Sequence, residues 1–515
     1  MTDAVRLEHD LLGDREVAID ALYGIHTLRA LENFPITGLP ISIYPDFIAA
    51  LASIKQAAAA ANAELGLLDP ERATAIQAAC AEIRAGQWHQ HFVVDVLQGG
   101  AGTSTNMNAN EVIANRALML MGHRPGDYAT LDPNEQVNLS QSTNDVYPTA
   151  IKLAVHAGVF RLIDAMALLR AAFDAKATEF ADVLKMGRTQ LQDAVPMTLG
   201  QEFRTYAVMV AEDEERLREA AALVCEINLG ATAIGTGINT HPAYSAVVCQ
   251  RLRDLTGIPV VTAGNLIEAT QDAGVFVQLS GVLKRVAVKL SKICNDLRLL
   301  ASGPRAGLGE INLPPVQAGS SIMPGKINPV IPEAINQVAF EVIGNDTTIT
   351  FAAASGQLQL NAFEPVIAHS LFKSLTHLRN GCLILQHRCV SGITANKDHL
   401  RQSVERSIGL VTALNPYIGY ANASSVAQEA YQTGRLVADV VLERGLLTRE
   451  ALDDLLNPAV LTQPRAVQAA YRPGSPGAAP APDAPASART VAPTVPEVLV
   501  GDGSEPGTAA PTEAH

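Results

Sequence analysis

The chain has 515 residues, enough for a large core and two or three domains. It is 48% hydrophobic but only 4% aromatic, and Ala and Leu fill the apolar share, which favours helices over strands. A net charge of −14 without any Lys/Arg-rich block argues against nucleic acid as a partner and requires any anion site to be made locally positive.

The charged N-terminus "MTDAVRLEHDLLGDREVAID" does not read as a signal peptide, and no run of about 18 apolar residues suggests a membrane span. The six cysteines form no CxxC pair, so they read as free thiols in a reducing compartment, and a cytoplasmic protein is expected. In chain order, residues 46–64, 151–173, 195–226, 278–300 and 364–390 read as helices. The 278–300 stretch is the clearest, with apolar residues at steps of three and four. The broad apolar face of 151–173 points to burial by several neighbours. We expect an all-α fold with an N-terminal helical domain (1–142), a central long-helix bundle (143–397) and a small C-terminal helical domain (398–471). Residues 472–515, rich in Pro, Ala, Gly, Ser and Thr, are expected to form a disordered tail.

Polar, Gly-rich segments punctuate the helices: "QGGAGTSTNMNANE" (98–111), "NLSQSTNDVYPT" (138–149), "KMGRTQLQDAVP" (185–196), "LGATAIGTGIN" (229–239) and "GSSIMPGKINP" (319–329). Taken singly, each is ordinary capping and turn chemistry. Together they collect neutral donors at helix starts, which suit a carboxylate. The last segment adds two hydroxyls, Lys326 and Asn328 on a loop that Pro324 and Pro329 keep from being helical. No G-x-S-x-G elbow, Walker A, Rossmann fingerprint or HExxH is present. His89 and His91 flank Gln90 and read as capping or packing residues. Hydroxyls and one lysine around a carboxylate point to proton removal beside that carboxylate, with donors stabilising an enediolate-like dianion, followed by β-elimination.

"GSSIMPGKINP" resembles the signature loop of the aspartase/fumarase superfamily. "GGAGTSTNMNANE", "QSTNDVYPT" and "GRTQLQDAVPMTLGQEF" follow the family's order, and the resemblance spans about residues 5–470. "YGIHTLRALENF" (23–34), "GQLQLNAFEPV" (356–366) and Gln190 resemble its branch of ammonia-lyases acting on L-aspartate. The alternative is the class II fumarases, which carry a histidine where Gln190 stands.

The resemblance implies that Ser320 is the general base, a serine that must act as an oxyanion or nearly so. It implies that Thr103, Ser142, Thr143 and Ser321 hold the β-carboxylate and stabilise the intermediate. Lys326 and Asn328, with Thr189, would hold the α-carboxylate, and Asn144 and Gln190 would lie near the amino group. It also implies a homotetramer around a twenty-helix core, with each active site shared by three subunits. No organic cofactor is expected. Some members respond to divalent cations, but no motif here predicts a metal site.

Overall fold

The computed structural model describes residues 4–463. The expected tail at 472–515 lies outside the described residues.

Two strands open the chain. β1 (Val5–Asp10) pairs antiparallel with β2 (Gly13–Ala18), Val5 opposite Ala18 and Asp10 opposite Gly13. Carboxylates tie this hairpin to α1 (Ile25–Asn33): Arg29 donates to both oxygens of Asp10 at 2.7 Å, and the Ile25 N–H donates to Glu8 Oε2 at 2.7 Å. Next come α2 (Pro45–Glu64), α3 (Pro70–Arg84) and α4 (Thr103–Leu120). Pro45 and Pro70 begin their helices, where a missing N–H costs nothing.

Seven helices follow: α5 (Thr143–Glu179), α6 (Leu199–Leu223), α7 (Tyr244–Thr256), α8 (Leu266–Gln271), α9 (Gly274–Leu300), α10 (Val330–Ala354) and α11 (Glu364–Arg388). Five of them close a ring: α5 packs on α6, α6 on α9, α9 on α10, α10 on α11, and α11 back on α5. Phe203 of α6 sits 5.4 Å from Phe180, just beyond α5, and 6.3 Å from Phe173 of α5 between ring centroids, so aromatic packing adds to the area buried at that seam. The expected helix at 195–226 starts later than its sequence suggests. Gln192–Thr198 is a strand, β4, paired antiparallel with β3 (Leu184–Thr189). Pro196 resists helix entry, and a capping box of Thr198 with Gln201 starts α6 at Leu199.

The C-terminal helices α12 (Lys397–Arg406), α13 (Leu410–Ile418), α14 (Tyr420–Thr433), α15 (Val437–Glu443), α16 (Arg449–Leu455) and α17 (Pro458–Leu461) are short. Leu414, Val426, Val440 and Leu452 form a core of their own within this group. Among the described residues, no helix is long and apolar enough to cross a membrane.

The Arg29 guanidinium holds the Asp10 carboxyl at about 2, below the usual carboxylate range. A depressed carboxylate stabilises the fold above its ordinary pKa, and that stabilisation is lost as pH falls toward 2. Amide protection in β1–β2, measured relative to intrinsic exchange, should therefore fall between about pH 4 and pH 2, and Asp10→Asn should show the lower protection already at pH 5. Equal exchange in both proteins at pH 5 would show that this pair does not anchor the hairpin.

Candidate active site

The candidate residues fall into two groups. The first lies where α4 and α5 begin. Thr103 is the first residue of α4, exposed, with Oγ1 donating to the Gly100 carbonyl at 2.7 Å. The glycine before it is required: Gly102 has φ +90°, and a Cβ there would lie 2.3 Å from the Tyr147 ring. Ser142 caps α5. Its Oγ accepts the Asn144 N–H at 3.2 Å, while Asp145 accepts the Ser142 N–H at 3.1 Å, a reciprocal capping box.

Thr143 Oγ1 accepts from Asn106 Nδ2 at 3.1 Å, which leaves its own O–H to donate elsewhere. Asn106 Nδ2 also donates to Asn138 Oδ1 at 3.2 Å, and the same oxygen accepts from Lys55 Nζ at 2.8 Å. Lys55 and Asp145 are both 0% exposed. Burial pushes the Lys55 ammonium down to about 7 and the Asp145 carboxyl up to about 7, with the Asp145 shift opposed by the amides of Thr232, Ser142 and Gly230. Asn144 Nδ2 donates to the Ala233 carbonyl at 2.7 Å, drawing the 229–239 segment onto the first turn of α5.

The second group lies beyond the other end of the bundle. Thr189 and Gln190 sit at the exposed tip of the β3–β4 hairpin. Gln190 (φ 55°) and Leu191 (φ 63°) form its two-residue loop, the left-handed pair that matches the twist of the strands. Glu310, 1% exposed, joins this hairpin to the start of the Ser320 loop: it pairs with Lys185 at 2.8 Å and with Arg188, and it immediately precedes the strand Ile311–Asn312.

In the loop itself, Ser320 Oγ accepts the backbone N–H groups of Ile322 at 3.2 Å and Met323 at 2.8 Å. Two amide donors on one hydroxyl oxygen favour negative charge there. The loop is closed by Gly319 N–H to the Lys326 carbonyl at 2.9 Å and by Asn328 Nδ2 to the Gly319 carbonyl at 2.5 Å. Ser321 and Lys326 are exposed.

A single chain does not bring the two groups together. The first stands at the start of α5 and the second past its end. A helix of 37 residues rises roughly 55 Å at about 1.5 Å per residue. Contacts along the ring agree: Asn228, after α6, donates to the Asn144 carbonyl at 3.0 Å, whereas Lys176, near the end of α5, donates to the Ile393 carbonyl at 2.7 Å. A cavity of about 280 Å³ between α2, α5 and α11, lined by Tyr44, Arg161, Phe372 and Arg379, holds none of the candidate residues.

His89 Nε2 meets the Ile83 carbonyl at 2.8 Å and His91 Nδ1 accepts the Leu22 N–H at 3.3 Å, both structural contacts. Among the described residues, no group of three or more His, Cys, Asp or Glu side chains is placed to hold a metal ion. Sequence reasoning passed over Lys55, Asn138 and Asp145. The Ser142-x-x-Asp145 spacing was a readable capping-box signal. A lone lysine in the alanine-rich run of α2 was a fainter one.

The sequence matches a family model described as a lyase over residues 13–344 and one described as the fumarase C C-terminus over residues 410–463. Curated proteins named aspartate ammonia-lyase are similar to the chain over nearly their whole length. The one from Pseudomonas fluorescens is 59% identical over 463 residues, covering 90% of this chain and 97% of that protein. The one from Escherichia coli (strain K12) is 56% identical over 465 residues, covering 90% and 97%. Among solved structures, a fumarate lyase:delta crystallin from Brucella melitensis bound to cobalt superposes with a TM-score of 0.88 at 54% identity, covering 90% of this chain and 100% of that one. A class II fumarase from Schistosoma mansoni gives 0.84 at 34% identity, covering 88% and 98%. The chain belongs to the aspartate ammonia-lyase family of the aspartase/fumarase superfamily.

A Cβ at Gly319 would lie 2.5 Å from the Lys326 carbonyl oxygen and 2.8 Å from the Asn328 nitrogen. Gly319→Ala should therefore open the loop without disturbing the core. Amide exchange over 316–329 should rise about tenfold or more while the melting temperature stays within about 2 °C. Unchanged exchange would show that the loop's closure does not depend on this glycine.

Proposed function

We propose that the chain is a carbon–nitrogen lyase that eliminates ammonia from L-aspartate to give fumarate, with Ser320 as general base. The observation that carries the assignment of the base is the pair of amide donors on Ser320 Oγ. A serine hydroxyl is too weak a base to take a carbon-bound proton, and donors that favour its oxyanion are what the reaction needs. Ser320 takes the proton from Cβ. The electron pair left behind spreads into the β-carboxylate as an enediolate-like dianion. The C–N bond then breaks on the opposite face, with its electron pair leaving on ammonia.

Thr103, Ser142, Thr143 and Ser321 receive the growing charge on the β-carboxylate. The acceptor role that Asn106 imposes on Thr143 supports this, since it frees the Thr143 O–H as a donor. Lys326 and Asn328, with Thr189, hold the α-carboxylate, and Asn144 and Gln190 flank the amino group. No organic cofactor enters these steps.

The span of α5 supports a site shared between subunits. So do the exposed apolar residues on the ring helices, including Leu168, Val208, Val288, Phe340 and Phe351, the last 70% exposed. Four copies of the ring would make a twenty-helix core, with each site drawn from three chains. The six buried, unpaired cysteines fit a reducing, cytoplasmic setting.

Fumarate can be followed by its ultraviolet absorbance with L-aspartate and L-malate offered in parallel. Fumarate from L-aspartate alone is expected; fumarate from L-malate alone would make the enzyme a hydratase. Ser320→Ala should lower kcat by at least about a thousandfold while succinate still binds. Lys326→Ala should weaken succinate about tenfold or more, as loss of a charged hydrogen bond does. A Ser320→Ala enzyme that turns over normally, or a Lys326→Ala enzyme with unchanged succinate affinity, would remove that residue from its role.

A further inference from the structure

The segment 229–239 supplies no side chain to the chemistry above, yet its main chain is bound to the first turn of α5. Asp145, fully buried, accepts three backbone N–H groups: Ser142 at 3.1 Å, Gly230 at 3.2 Å and Thr232 at 2.8 Å. Asn228 adds a bond from Nδ2 to the Asn144 carbonyl at 3.0 Å and another to Thr270 Oγ1 at 3.1 Å. The turn is held in an unusual shape. Thr232 has φ +59°, a left-handed conformation that a β-branched residue rarely takes, and its buried hydroxyl has no hydrogen-bond partner. Gly235 backs directly onto α8, where a Cβ would lie 2.3 Å from the Ile267 Cα.

The result is that the Ala233 carbonyl stands 2.7 Å from the Asn144 carboxamide. A carbonyl oxygen can only accept, so the amide must turn Nδ2 toward it, and Oδ1 then faces the other way. We propose that the 229–239 turn, clamped by Asp145, is a positioning element that presets Asn144 as a hydrogen-bond acceptor for the substrate's ammonium group. An ammonium only donates, so an acceptor suits it. The proposal rests on the reading that Asn144 flanks the amino group.

The test uses Asp145→Asn, Thr232→Gly and Asn144→Ala in the full chain, with kcat/KM for L-aspartate, the inhibition constant of succinate and the melting temperature. Succinate carries both carboxylates but no amino group, so it reports the rest of the site. Asp145→Asn should lower kcat/KM about tenfold, the effect of one misplaced charge-assisted hydrogen bond; because Asp145 also caps Ser142, the variant expected to change succinate inhibition by less than about twofold is Thr232→Gly. Thr232→Gly should lower kcat/KM about threefold or more, because glycine no longer confines the turn to one backbone shape, while the melting temperature holds, since relief of the strained φ +59° offsets the freedom gained by the unfolded chain. A merely structural role would not separate activity from stability in this way, and Thr232→Gly carries the test if Asp145→Asn does not fold. Loop variants that keep kcat/KM, or a Thr232→Gly enzyme that weakens L-aspartate and succinate equally, overturn the turn's role when Asn144→Ala lowers kcat/KM for L-aspartate with succinate inhibition little changed. An Asn144→Ala enzyme with normal kcat/KM, or with succinate weakened as much as L-aspartate, overturns the placement of Asn144 and the proposal with it.

Discussion

The length of α5 is the constraint on which the rest of the structure depends. Its 37 residues carry Ser142, Thr143 and Asn144 at one end and lead to the Thr189–Gln190 hairpin past the other. The ring helices that pack around it place their own connections at the same two ends, so the Ser320 loop lies with the hairpin and the 229–239 turn with the start of α5. A stiff rod of that length cannot bend its ends together, and chemistry that needs both groups must recruit other copies. The proposed sharing of the site would also cover the apolar residues left exposed along the ring.

Each half is built before substrate arrives. At the α5 start, buried Lys55 and Asn106 with half-buried Asn138 fix how Thr143 can bond, and Asp145 holds the cap and the neighbouring turn. Hydroxyls and amides so arranged need little reorganisation when charge develops on a carboxylate. At the loop, two backbone N–H groups support Ser320.

Much of this was legible. Apolar runs located four of the five ring helices, because a helix buried on several sides must be apolar around most of its surface: 278–300 and 364–390 match α9 and α11 to within a few residues, whereas α10 (Val330–Ala354) was not read. The start of α6 was missed because Leu, Val and Met near Pro196 suit a strand as well as a helix, and only the Thr198 capping box decides between them. Candidate residues such as Thr143 and Asn144 were visible as a polar cluster at a helix start. Their supports were not. That Lys55 faces Asn138, or that Ala233 offers its carbonyl to Asn144, depends on contacts across 83 and 89 residues, which no local pattern encodes.

The central claim is that the two halves of the site come from different chains, and mixing two inactive variants tests it most directly. Thr143→Val removes a hydroxyl from one half and Ser320→Ala removes the proposed base from the other. Each alone is expected to be inactive. Differently tagged chains would be unfolded together, refolded and isolated as mixed oligomers carrying both tags. With random assembly, a site drawing its halves from different chains is intact with probability one half times one half, so about a quarter of wild-type activity should return. Mixed oligomers as inactive as either parent would contradict the account and place both halves within one chain.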